Sequence, residues 1–233
     1  MRKLALILAI FFWGLIFWLP LLAVAQTAPS PDELAHYTGL HAAAAKGETA
    51  KIIALAKSGT DLNARDGFGR TALMVAAYQN HRDAATALIK AGANVNALDS
   101  ERYDMITIAA VANNLAMMKL AISSGGNTKL MTSPYDGTAL IAAAHLGHVE
   151  VVRELIRTGA PLDHINNLKW TALIEAIVLG DGGKNHQFIV RDLIKAGANI
   201  NLADGNGTTP LSLARFRKYP AMIKMLEAAG AKP

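Results

Sequence analysis

Gly69-Arg70-Thr71-Ala72-Leu73-Met74-Val75-Ala76-Ala77, followed one helical segment later by Ala91-Gly92-Ala93-Asn94-Val95-Asn96, is the stretch that decides how this chain reads. Thr71 recurs as Thr38, Thr138, Thr171 and Thr209, and Asp104 fills the one slot where the threonine is missing. The steps between these positions are 33, 33, 34, 33 and 38 residues. Gly92 recurs independently as Gly59, Gly125, Gly159, Gly197 and Gly230, and both series locate a five-residue insertion in the fifth copy. Two landmarks sharing one period of about 33 residues mean a stacked array, in which each unit buries its apolar face on its neighbours.

Each unit contains the signals for two helices and a turn. The segment after each threonine is rich in alanine and leucine at helical spacing, so a short inner helix forms whose small face lets the next unit approach closely. The threonines and Asp104 stand where an N-cap belongs, a contribution of about 1 kcal/mol each. A second helix carries aliphatic pairs such as Leu88-Ile89, Val151-Val152 and Leu193-Ile194, which form its apolar stripe. The recurring glycine stops that helix. Asn63, Asn96 and Asn201 then lead towards exposed tips marked by Asp66-Gly67, Asp99-Ser100 and Asp204-Gly205.

Thr71-Ala72-Leu73-Met74-Val75-Ala76-Ala77, Thr138-Ala139-Leu140-Ile141-Ala142-Ala143 and Thr209-Pro210-Leu211-Ser212-Leu213-Ala214 are similar to the Thr-Pro-Leu-His motif of the ankyrin repeat family. The resemblance spans residues 33–233 and implies an all-α ankyrin repeat solenoid of about six helix-turn-helix repeats with hairpin-like tips. The repeats run over about 34–66, 67–99, 100–133, 134–166, 167–204 and 205–233. The third departs most, with Asp104-Met105-Ile106-Thr107 and the turn Ser124-Gly125-Gly126-Asn127, which marks it as the loosest joint.

Ahead of the array, Met1-Arg2-Lys3 precedes an apolar run from Leu4 to Ala25, broken only by Gly14 and Pro20 and ending in Ala23-Val24-Ala25. This order of basic, apolar and small residues is that of a secretory signal peptide, residues 1–25, with cleavage expected after Ala25 and export to the periplasm. The run is also long enough to span a bilayer, so an uncleaved inner-membrane anchor is the alternative. Residues 26–32, with Pro29 and Pro31, read as an extended linker. There is no cysteine, hence no disulfide framework. Without Arg2 and Lys3, 21 basic residues face 18 acidic ones, interspersed along the repeats. A dedicated nucleic-acid surface needs a basic stripe and is not expected.

Nothing in the chain nominates a reaction. No Gly-x-Ser-x-Gly elbow, cysteine nucleophile or His-Glu-x-x-His occurs. The glycine-rich insertion Gly180-Asp181-Gly182-Gly183-Lys184-Asn185-His186 lacks the P-loop spacing and reads as a lengthened loop. His41 and His148 occupy structural slots, and His36, His81 and His164 read as isolated surface residues. The chain is therefore expected to be no enzyme and to need no cofactor or metal.

The resemblance further implies a partner protein lying against the tips and the open side of the inner helices. Carried over repeat by repeat, those positions are Phe68, Arg70, Tyr78 and Gln79; Glu101, Arg102 and Tyr103; Tyr135, His145 and Leu146; Leu168, Lys169 and Trp170; and Phe216 with Arg217. Aromatic and arginine side chains are the usual hot spots of interfaces. The expectation is an exported, monomeric, non-enzymatic scaffold. The alternatives are a membrane-tethered organiser, a stress-defence accessory protein and a secreted host-directed effector.

Overall fold

The computed structural model describes residues 28–233, so the apolar N-terminal segment and the cleavage expected after Ala25 lie outside the described residues. After α1 (Pro31–His36), six helical hairpins follow in chain order. Their inner helices are α2 (Gly39–Ala45), α4 (Ala72–Tyr78), α6 (Met105–Val111), α8 (Ala139–His145), α10 (Ala172–Val178) and α12 (Pro210–Phe216). The outer helices are α3 (Thr49–Lys57), α5 (Arg82–Ala91), α7 (Leu115–Ser123), α9 (Val149–Arg157), α11 (Lys184–Lys195) and α13 (Pro220–Ala228). Each inner helix packs on the inner helices before and after it and on its own outer helix, and one continuous core runs from Leu40 to Leu226.

The helix signals act as the sequence predicts, with two corrections. Thr71, Thr138, Thr171 and Thr209 accept from the amide three residues on at 3.3–3.4 Å, and Asp104 does so at 2.8 Å. Thr38 makes no such bond; it is exposed, so water can reach the amides that its buried or half-buried counterparts must satisfy. The linker ends early, because Pro31 is the first residue of α1, a position where the missing amide costs nothing. Ser30 and Glu33 close a capping box around it, at 2.9 and 3.2 Å.

Ring side chains staple the repeats together. His81, His148, His186 and Tyr219, at or near the start of an outer helix, donate to the carbonyls of Ala45, Ala110, His145 and Gly180 in the preceding repeat, at 2.8–3.0 Å. At the remaining junction Asn114 Nδ2 donates to Asn80 Oδ1. The carbonyls lie at or close to inner-helix ends, which have no intrahelical partner. His81 is thus an inter-repeat tie and not the isolated surface residue expected from sequence. A second ladder joins the turns: Asn63, Asn96, Asp163 and Asn201 accept from the amides of Asn94, Asn127, Asn199 and Lys232, each at 2.8 Å.

The insertion is more ordered than a lengthened loop. Its last residues form the first turn of α11, and Asp181 Oδ1 accepts from the Gly183 amide and pairs with His186 Nδ1, both at 2.8 Å. Gly180 O also accepts from Arg217, so the insertion is tied to the sixth repeat.

Candidate partner-binding surface

The tips are built on one recurrent acceptor. Asp66, Asp99, Ser133, Asn166 and Asp204 each turn a side-chain oxygen back onto the amide four residues on, at 2.8–3.3 Å. Neighbouring tips are joined through the backbone, Ser100 N to Phe68 O, Ser133 N to Arg102 O and Asn167 N to Tyr135 O. The result is a row of tips held in register along one edge of the array.

Burial divides the predicted contact residues. Phe68, Leu146, Leu168, Lys169 and Phe216 are exposed, while Tyr78, Gln79, Glu101, Arg102, Tyr135, His145, Trp170 and Arg217 are half-buried. Arg70 and Tyr103 correct the expectation: they are 1% and 5% exposed and cannot themselves meet a partner. Arg70 pairs with Asp66 at 2.7 Å and with Glu33 of α1, and its guanidinium lies 4.6 Å from the Phe68 ring centroid. Tyr37 donates to the same Asp66 carboxylate at 2.6 Å. Arg70 therefore clamps α1 onto the second repeat. Tyr103, in the same slot one repeat later, belongs to the hydrophobic core, and burial pushes its phenol up to about 12. Arg102 instead bridges to Asp136 of the next tip at 2.7 Å, with both side chains 42% exposed.

Two polar atoms on the inner helices are left without hydrogen bonds. The Tyr78 hydroxyl is buried and unpartnered, and desolvation pushes its pKa far up. Glu175 is the other, and sequence reasoning missed it. The slot four residues after the cap holds Ala42, Val75, Ile108, Ala142 and Leu213 in the sister helices, so an acidic residue in an otherwise apolar column was the available signal. Glu175 Oε1 accepts from Asn166 Nδ2 at 2.9 Å, and Oε2 lies 3.6 Å from His145 Nδ1 with no hydrogen bond. Burial raises the carboxyl to about 7, and burial followed by the nearby His186 lowers His145.

These contacts join several predicted residues into one polar chain. It runs from the Trp170 amide to Asn166, on to Glu175 and His145, then through the His145 carbonyl to His186 and Asp181. His145 and Trp170 are thereby brought together across repeats four and five, while Phe68 and Phe216 stand towards opposite ends of the array. Among the described residues, no group of His, Cys, Asp and Glu is arranged to hold a metal ion. Two shallow cavities of about 340 Å³ lie on the outer-helix side, lined by charges such as Lys119, Glu154 and Arg157, or Arg153, Asp192 and Lys195.

The model of the ankyrin repeat family, described as three copies of the repeat, matches residues 6–99 and 106–204. A crystal structure of an ankyrin repeat domain from Acinetobacter baumannii AYE is 48% identical, with a TM-score of 0.80, covering 83% of this chain and 98% of that one. A putative ankyrin repeat protein of Escherichia coli K12, YahD, is 43% identical over 98 residues, 42% of this chain and 49% of that protein. A putative ankyrin repeat-containing protein of Treponema pallidum is 35% identical over 99 residues, 42% of this chain and 32% of its own length. The matched stretch thus spans about half or less of these two curated relatives. Ankyrin repeats are in general protein-binding scaffolds without catalytic chemistry. With more than half of its length matched by the family model and α2 to α13 stacked as six helical hairpins in the described residues, the chain belongs to the ankyrin repeat family.

Proposed function

We propose that the protein is an exported scaffold that binds a partner protein along the side of the array formed by the inner helices and tips, acting as a monomer and without chemistry of its own. The observation that carries this reading is a set of exposed apolar side chains at the C-terminal ends of three successive inner helices, Leu146 and Leu179 in the same slot after the cap and Phe216 one position earlier. Leu146, Leu179 and Phe216, at the ends of α8, α10 and α12, are 43%, 39% and 78% exposed. Most other inner-helix aliphatics are buried, Val111 and Leu213 being half-buried, and contiguous exposed apolar residues rimmed by polar ones mark interaction sites. Half-buried Trp170 and exposed Leu168 add anchors at the tips. The test is recovery of partners from a periplasmic extract by the wild type and by a Leu146→Ser, Leu179→Ser, Phe216→Ser variant. The reading expects the folded variant to lose the partner, and equal recovery by both contradicts it.

Export rests on the order of charges and apolar residues before Gln26. A membrane-tethered form is the second reading, favoured by the length of the apolar run from Leu4 to Ala25. The intact mass of the protein isolated from cells separates the two: loss of the first 25 residues supports release, and a full-length membrane-bound chain supports the tether.

A further inference from the structure

Glu175 is the inner-helix residue least accounted for by folding. Five sister slots do the same packing with apolar side chains, so the carboxyl is not needed to stack α10 on its neighbours. Its side chain is 5% exposed, and one oxygen is satisfied by Asn166 while the other has no donor. A buried acceptor without a donor is rare in folded proteins and invites a reason beyond stability. His145 Nδ1, at 3.6 Å, is too far to supply the bond, and its side chain is 29% exposed, so it is the outer member of the pair.

We propose that Glu175 Oε2 receives a lysine or arginine side chain from the partner segment that lies along repeats four and five, His145 turning aside to admit it. The proposal rests on the reading above that a partner binds along the inner helices and tips, and specifies that partner. A carboxylate accepts only, and in a poorly solvated setting its strongest complement is a cation that also donates hydrogen bonds. The surroundings fit a basic residue flanked by apolar ones. Leu146 and Leu179 stand exposed at the helix ends, and Trp170 lies towards the tips, held by the same Asn166 that orients Glu175. A single polar contact within an apolar rim sets which partner fits, while the rim supplies the contact area.

The test is a randomised twelve-residue peptide library displayed on phage and selected against the full chain. The expected winners carry lysine or arginine between apolar residues. Glu175→Gln should weaken them at least tenfold, replacing the peptide's basic residue by glutamine should weaken wild-type binding by a similar factor, and the two changes together should cost little more than either alone. The near-isosteric glutamine removes a buried charge, and a melting curve checks that the variant is folded. A second variant, Leu146→Asp with Leu179→Asp, separates the two levels. Peptides lost on this variant but indifferent to Glu175→Gln overturn the basic-residue assignment and leave the protein-binding face standing. Peptides indifferent to both variants, or a selection that yields none, overturn both.

Discussion

Residues of one type do different work along the array, and position in the repeat decides which. His148 donates to the Ala110 carbonyl at 2.8 Å. His148→Leu leaves that acceptor unmet and should cost about 1–3 kcal/mol in urea unfolding, whereas His36→Ala on exposed α1 should stay within about 0.5 kcal/mol. Glu175 has an opposite sign. Its folded-state pKa, about 7, is raised above the ordinary 4.5 by burial. The folded protein therefore holds the proton more tightly than the unfolded chain, so the stability linked to protonation is fully present below about pH 4.5 and lost as pH rises to about 7. The groups that face it are His145 from α8 and His186 from α11 through the His145 carbonyl. Glu175→Gln should raise the melting temperature at pH 8, by up to roughly 3 kcal/mol in stability terms, and the gap should close towards pH 5. A gap that is constant with pH would show that the carboxyl is not perturbed. Neither role was visible in the residue names. Arg70 and Tyr103 read as surface hot spots because aromatic and arginine residues favour interfaces, yet in the second and third repeats the side chain before the cap is buried, whereas Trp170 in the same slot of the fifth stays half-buried.

Helices and turns were the most legible level, because the cap, the alanine-rich inner segment and the stopping glycine recur at one spacing. The six glycines that were read as helix stops all have positive φ, between 80° and 106°. What the pattern could not convey is contact between repeats. The third repeat is joined less closely than the others on two counts. Its outer helix α7 approaches α5 less than other neighbouring outer helices approach each other. The turn ladder also skips the junction to the fourth repeat, since Lys129 stands in the acceptor slot and Pro161, in the donor slot, has no amide. Thr128 takes over with a bond to the Thr158 carbonyl at 3.2 Å. Native-state hydrogen exchange should find the amides of α7 less protected than those of α9. Equal protection would mean that the inner helices alone hold the joint. The insertion offers a second test at this scale. Gly182 has φ +72°, and a Cβ there would strike the Tyr219 ring that ties the fifth and sixth repeats. Gly182→Ala should destabilise by more than about 1 kcal/mol, read as a lower melting temperature, because it adds backbone strain to the loss of the tie.

As a whole molecule, the array follows from its period: each repeat has an apolar face that only a neighbour can cover, so stacking is the way its core is completed. Function is legible only where residues depart from that period. Phe68, Leu168 and Trp170 stand at the tips, where the resemblance puts a partner, whereas Glu175 departs inside a column of the inner helices whose other members are apolar, and its missing hydrogen bond shows only in the packed structure. The proposed partner lies on the inner-helix side, and the outer helices, with their paired charges, stay in solvent. Hydrogen exchange of the array alone and with its bound partner tests that placement most directly. Added protection over residues 145–147, 178–180 and 216–218, with the neighbouring tips, is the predicted result, and protection confined to α5, α7, α9 and α11 would contradict it.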